Sequence, residues 1–195
     1  MNIFFLDRSP EICSQMHCDK HVVKMIIEYA QLMSTAHRVL DGNKTIENVK
    51  GRKLQRWNIN DPRNDVLYKA SHVNHPSAVW TRTSLSNYLW LYQMWSHLLR
   101  EYTFRYGKRH ETEKLLFALA KHPSNIPVSG WTDPPPAMPD DCKVSVKNGY
   151  DSLASYRNYY LLKKSHFAKW TKRNVPAWYT FGLNLIEVAD SIAKK

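Results

Sequence analysis

The segment QMHCDKHVVKMIIEYAQLMSTAHR, residues 15–38, constrains the fold more than any other, because its apolar residues recur with helical spacing over six turns. The spacing predicts one helix over 15–38. At roughly 100° per residue, Val22, Val23, Met25, Ile26, Ile27, Tyr29, Ala30, Leu32 and Met33 cover an arc of about 220°. An arc that wide exceeds what a surface helix needs, so burial on most sides is expected. The remaining stripe holds His17, His21, Lys24, Glu28, Gln31 and Thr35, all polar. Two imidazoles, an ammonium and a carboxylate side by side at the edge of an interior shift one another's pKa values, as functional sites do. An ordinary solvent-facing strip has the same composition, and both readings stand at this point.

With 195 residues the chain is long enough for one domain with a sizeable core, and one domain is expected. Hydrophobic content of 43%, with seven Trp and eleven Tyr, argues against disorder, and no apolar run is long enough to span a bilayer. The N-terminal MNIFFLDRSPE lacks the basic region and cleavage site of a signal peptide, and Cys13, Cys18 and Cys142 are too sparse for a disulfide framework. A cytoplasmic protein with no membrane association is expected, in the host cytoplasm if a phage encodes it. The net charge of +11, from 28 Lys and Arg against 17 acids, points to a polyanionic partner: nucleic acid, DNA first, or a phosphate-bearing nucleotide.

The order of patterns along the chain predicts an all-α fold, a single compact helical domain with a Pro-rich ordered loop at 123–149. Asn2 to Leu6 reads as a short apolar arm, and the polar, basic stretch NKTIENVKGRKLQRW as a loop. Helices are expected over 65–73, from Ser77 for about 30 residues to a stop at Gly107, and over 111–120, 150–170 and 183–192. Residues 123–141 contain six of the ten prolines and can be neither helix nor central strand. Ile126, Val128 and Trp131 make docking across the helices more natural than a free linker.

His17 and His21, four apart, have a spacing that can ligate a metal, but neither the zincin motif nor a zinc-finger cysteine spacing accompanies them. An acid–base role fits them better, and neither metal nor cofactor is expected. His72 and His75 form a second pair, of interest if it meets the first in space. Six scattered glycines give no phosphate-binding loop, and no serine or cysteine nucleophile has a recognisable context. Aromatic residues interleaved with basic ones suit bases and phosphates. On that ground His17, Lys20, His72, His75, Trp80, Arg82, Tyr156, Arg157, Lys163, Lys172, Arg173 and Trp178 are candidates for contact with nucleic acid. Within that set, Trp80, Arg82, Tyr156, Arg157 and Lys163 would suffice for a non-catalytic nucleotide pocket. A basic DNA-binding structural protein is a further alternative.

Asp19-Lys-His21 followed by Glu28 resembles the N-terminal helix of the bacteriophage pyrimidine-dimer DNA glycosylases, which carry an Asp-x-His at the same distance ahead of their essential glutamate. Near the other end, Pro176-Ala-Trp178-Tyr179, preceded by Lys169, Lys172 and Arg173, is similar to that family's Pro-x-Trp-Tyr segment and its upstream basic residues. The chain also resembles proteins of marine phages. The glycosylase resemblance implies an all-helical domain that bends duplex DNA and flips a nucleotide. A primary amine would attack the deoxyribose C1′ with help from a carboxylate, for which Glu28 is the match. That family uses the α-amine of a small residue exposed by Met removal, whereas Asn2 favours retention of Met1 here. The candidate catalytic set is therefore Glu28, His21, Lys24 and the amine of Met1.

Overall fold

Residues 15–38 are helical in the computed structural model, which describes residues 1–193, but the helix is interrupted at its start. α1 (Pro10–Met16) is capped by Ser9 and ends at His17, and α2 (Asp19–Asp41) begins two residues later. Both intervening residues are extended, and Arg105 donates to the His17 carbonyl at 2.9 Å, which holds the break open. The Asp19 carboxylate then anchors the start of α2 by accepting from Arg105 at 2.9 Å and from the Thr171 hydroxyl at 2.7 Å.

After α2 the chain makes an antiparallel hairpin, β1 (Asn43–Val49) and β2 (Arg52–Asn58). The short α3 (Arg63–Val66) and the helices α4 (Pro76–Thr83) and α5 (Leu85–Tyr106) follow. The single long helix expected from Ser77 is thus two, because Ser84 is extended and its hydroxyl caps α5 by accepting from the Ser86 N–H at 3.1 Å. Gly107 ends α5 at φ +69°, as its position suggested. A 3₁₀ turn (Glu111–Leu115) leads into α6 (Leu116–Ala120). A small hairpin, β3 (Val144–Val146) and β4 (Gly149–Asp151), precedes α7 (Ser152–Lys163), and α8 (Ala177–Ala193) closes the described chain.

The all-α expectation is therefore overturned: helix makes up 55% of the residues, strand 10%, and two separate antiparallel sheets are present. The stretch 43–58 looked like a loop because its strands are polar and almost wholly exposed, so no apolar alternation marks them. The turn is equally disguised. Lys50 and Gly51 have φ of 50° and 78°, a two-residue hairpin turn of the type normally announced by Asn-Gly. The second hairpin lies across the end of the expected Pro-rich loop.

α2 packs on α4 and α5, α1 on α5, and α7 on α8. The core is rich in large aromatic residues, among them Trp95, Tyr29, Tyr88, Tyr156 and Tyr160. Residues Ile3–Leu6 are buried within it, and the Pro-rich segment docks through Trp131, which stacks obliquely on Trp90 and edge-on to Trp80. Ile126 is buried there too, whereas Val128 faces solvent. Among the described residues no helix is long and apolar enough to cross a membrane.

Candidate functional site

The N-terminal arm owes its place to a run of three hydrogen bonds. The His17 Nδ1–H donates to the Cys13 carbonyl at 2.8 Å, which fixes the tautomer and makes Nε2 an acceptor. Tyr29 Oη donates to that Nε2 at 2.7 Å and accepts from the Phe4 N–H at 3.1 Å. Arg157 adds a second clamp, donating to the Leu6 carbonyl at 2.8 Å. With residues 3–6 held this way, Met1 comes to lie over the middle of α2.

The amine nitrogen of Met1 is 4.0 Å from Glu28 Oε2, and Lys24 Nζ is 3.3 Å from Glu28 Oε1. These groups line a cavity of about 140 Å³ together with Phe4, His21, Tyr159 and Lys164. Lys164 Nζ lies 4.5 Å from the ring centre of Tyr159. Three amines and one carboxylate thus line one cavity, an arrangement suited to a substrate that carries negative charge.

His21 forms the floor. Its ring stacks on Phe4 with centroids 4.0 Å apart, and its Nδ1 lies 2.5 Å from Tyr160 Oη. Burial pushes its pKa down to about 2, with His17, Lys164 and Lys24 acting in the same direction, so the imidazole is neutral at physiological pH. Its Nε2 has no hydrogen-bond partner among the described residues. A neutral imidazole of this kind can donate a hydrogen bond without adding charge.

The second histidine pair lies outside the lining of this cavity. His75 Nδ1 caps α4 by accepting from the Ser77 N–H at 3.2 Å. Its pKa is lowered first by burial, with the Met1 amine and His72 acting in the same direction and Glu28 opposing them. The turn before α4 therefore lies within electrostatic reach of the Met1–Glu28 pair. His72 is exposed, at φ 49°.

Other candidates lie elsewhere. His17 is fully buried, with both ring nitrogens committed, and burial lowers its pKa to about 4. It holds the arm and reaches no surface. Trp80 is buried and donates to the Thr132 carbonyl at 3.0 Å, and Tyr156 is buried and donates to the Pro135 carbonyl at 2.9 Å. Arg82 donates to the Val73 carbonyl at 2.8 Å, and Lys163 pairs with Asp141 at 2.6 Å. These residues, with Arg157 on the arm, do not converge on an open nucleotide pocket.

Lys20 is exposed, over the Phe167 ring at 4.7 Å. Lys172 donates to the Phe104 carbonyl at 3.1 Å, and Arg173 pairs with the buried Glu101 at 2.8 Å while lying 4.4 Å over the Phe104 ring. Trp178 packs beneath Arg157 at 5.3 Å and points its indole N–H at Met16 Sδ, 3.3 Å away. Tyr159 and Lys164 belong to the site and were missed as members of it. Their positions at the C-terminal end of α7 meet α2 only through the tertiary fold, and no local spacing signals it. Among the described residues no group of three potential metal ligands occurs. A scan against protein-family models and searches of curated proteins and solved structures return no match for this chain.

Proposed function

We propose that this protein is an N-glycosylase acting on a damaged or modified base in DNA, with associated lyase chemistry, and that the Met1 α-amine is its nucleophile. The observation that carries the reading is the 4.0 Å approach of that amine to Glu28 inside a cavity ringed by Lys24 and Lys164. A primary amine and a carboxylate in contact are the two groups that the chemistry requires. The resemblance around Asp19, His21 and Glu28 agrees with the same assignment.

The unprotonated amine attacks C1′ of the deoxyribose, and the C1′–N bond to the base breaks. The base departs with the bonding pair and takes up a proton from water, while the neutral His21 imidazole N–H donates a hydrogen bond to it. Glu28 receives the proton that the attacking amine must lose and passes it to the sugar's ring oxygen, which returns Glu28 to the carboxylate. Protonation of the ring oxygen opens the sugar to an iminium between C1′ and the Met1 nitrogen. Glu28, or a water that it holds, then removes a C2′ proton, the 3′ phosphate leaves, and hydrolysis of the imine frees the amine. Lys24 and Lys164 supply the positive charge that holds the flanking phosphates.

Incubation with duplexes containing abasic, oxidised, alkylated or photodimerised nucleotides in the presence of borohydride should trap a covalent adduct. Mass spectrometry should place it on Met1. Acetylation of the α-amine should abolish trapping. An adduct on Lys24 would move the nucleophile to the other amine beside Glu28, and no adduct with any of these DNAs would remove the reading.

A further inference from the structure

We propose that the β1–β2 hairpin is an arm that binds duplex DNA, seated in the major groove by its acid-free face. The choice of DNA as partner rests on the reading above; the face itself is defined by the register of the hairpin. Lys44 is opposite Trp57, Ile46 opposite Gln55 and Asn48 opposite Lys53. Residues paired across an antiparallel ribbon share a face, as do alternate pairs along it. One face therefore carries two ammonium groups, two primary amides, an indole and Ile46, which is 70% exposed. It has no carboxylate.

The other face pairs Thr45 with Arg56, Glu47 with Leu54 and Val49 with Arg52. It holds the hairpin's single acid, Glu47, which Arg56 neutralises at 2.7 Å. Thr45, Glu47 and Arg56 line a cavity of about 500 Å³ at the root of the hairpin, shared with Arg38, Asn64 and Lys69 of the body and reached from the acid-free face by Ile46 and Trp57. On the acid-free face Lys44, Asn48, Lys53 and Gln55 are exposed, and Lys50 and Arg52 at the tip add two more exposed cations.

The shape and chemistry select the partner. The major groove of B-form DNA, about 12 Å wide, admits a two-stranded ribbon, whereas that of an RNA duplex is too deep and narrow. Lysines and arginine at the edge and tip suit phosphates, and side-chain amides such as Asn48 and Gln55 offer the paired donor and acceptor that an adenine edge presents. A lipid surface would call for an apolar stripe in place of the amides. The separation fits as well. From Glu28 to the end of α2 is about 20 Å along the helix axis, or roughly six base-pair steps of 3.4 Å. A duplex laid along α2 with one sugar at Met1 would reach the hairpin within a single helical turn.

The test is fluorescence anisotropy of the full chain with an undamaged DNA duplex across a salt series. The variant Lys44→Ser/Lys50→Ser/Arg52→Ser/Lys53→Ser should weaken binding on the order of 100-fold at low salt and lower the slope of log affinity against log salt by about three to four. The altered side chains are exposed, so its circular dichroism and melting should match the parent; the double variant Lys50→Ser/Lys53→Ser, with half the slope change, serves if they do not. Lys108→Ser/Lys147→Ser, elsewhere on the surface, should leave the slope in place. An unchanged slope in the hairpin variants, an equal loss per cation in the control, no duplex binding by the parent, or equal affinity for duplex RNA or anionic vesicles would each overturn the proposal. Borohydride trapping on a short single-stranded abasic oligonucleotide reports the Met1–Glu28 site separately. Slope loss without any adduct leaves the arm standing and the glycosylase reading fallen; an adduct with unchanged slope does the reverse.

Discussion

The hydroxyl of Tyr29 lies 2.7 Å from Nε2 of His17, and through its second bond to the Phe4 N–H it ties the N-terminal arm to the one helix that carries Glu28. Stability and site geometry are thereby coupled at a single oxygen atom.

Tyr29→Phe keeps the ring and deletes that oxygen, leaving the His17 Nε2 and the Phe4 N–H buried without partners. An unsatisfied buried group costs about 1–3 kcal/mol. The variant should unfold at lower temperature by a corresponding margin, and its borohydride adduct should fall more than its folded fraction does, because Met1 is no longer held over Glu28. Equal trapping per folded molecule would show that the arm finds its place without this bond.

Glu28→Gln preserves shape and removes the ionisable group. Glu28 is partly exposed and its partner Lys24 is largely so, hence the ion pair contributes little to stability and melting should shift by no more than a few degrees. Adduct formation and strand cleavage should fall by at least about 100-fold. A large loss of stability with specific activity retained would make Glu28 a structural carboxylate.

Glu101 and Arg105 behave differently, since both side chains are almost fully buried, 2.7 Å apart, with Arg173 and Asp19 completing the network. Glu101→Gln leaves two guanidinium groups short of a counter-charge, and breaking a buried pair in this way is destabilising by about 3–5 kcal/mol. Denaturant titration should show it as a lower midpoint with an unchanged slope.

His17, His21 and His37 are all held neutral by burial, with pKa values lowered from 6.5 to about 4, about 2 and about 4. Because the unfolded chain takes up these protons and the folded chain does not, stability is full above pH 6.5 and declines as pH falls from there toward 4. For fully buried His17 alone the loss approaches roughly 3 kcal/mol. Melting temperatures measured from pH 7.5 down to 4.5 should drop steadily, and a flat profile would mean that these imidazoles are charged in the fold.

Much of this was legible in the sequence where local rules operate. The periodicity of 19–38, the glycine stop at 107 and the placement of His21, Lys24 and Glu28 along one side of a helix all follow from spacing. The stripe itself was not the solvent-facing strip that spacing allows. His17, His21 and Thr35 are buried beneath the arm and the turn at Ser71, while Val23 and Ile27 from the apolar arc are exposed at 43% and 38%. A wheel gives angles around an axis and cannot say which angle a distant segment will cover. The same limit hid Tyr159 and Lys164, and made Trp80 and Tyr156 look like ligand contacts when they hold the Pro-rich segment in place. The hairpin at 43–58 escaped for a different reason: a ribbon exposed on both faces needs no hydrophobic alternation.

The Leu6 carbonyl is gripped by a guanidinium 151 residues further along the chain. During translation at about 5–20 residues per second, roughly 8–30 seconds separate the synthesis of these two partners. For that interval the arm Ile3–Leu6 lacks its last clamp. Tyr29 and His21 of α2 and Trp90 of α5 emerge earlier to meet Phe4 and Phe5, and the clamp on the Leu6 carbonyl arrives last, with α7. The segment that positions the proposed nucleophile is thus among the first made and the last to be fully fastened, so the geometry of Met1 over Glu28 is complete only when nearly the whole chain has been synthesised.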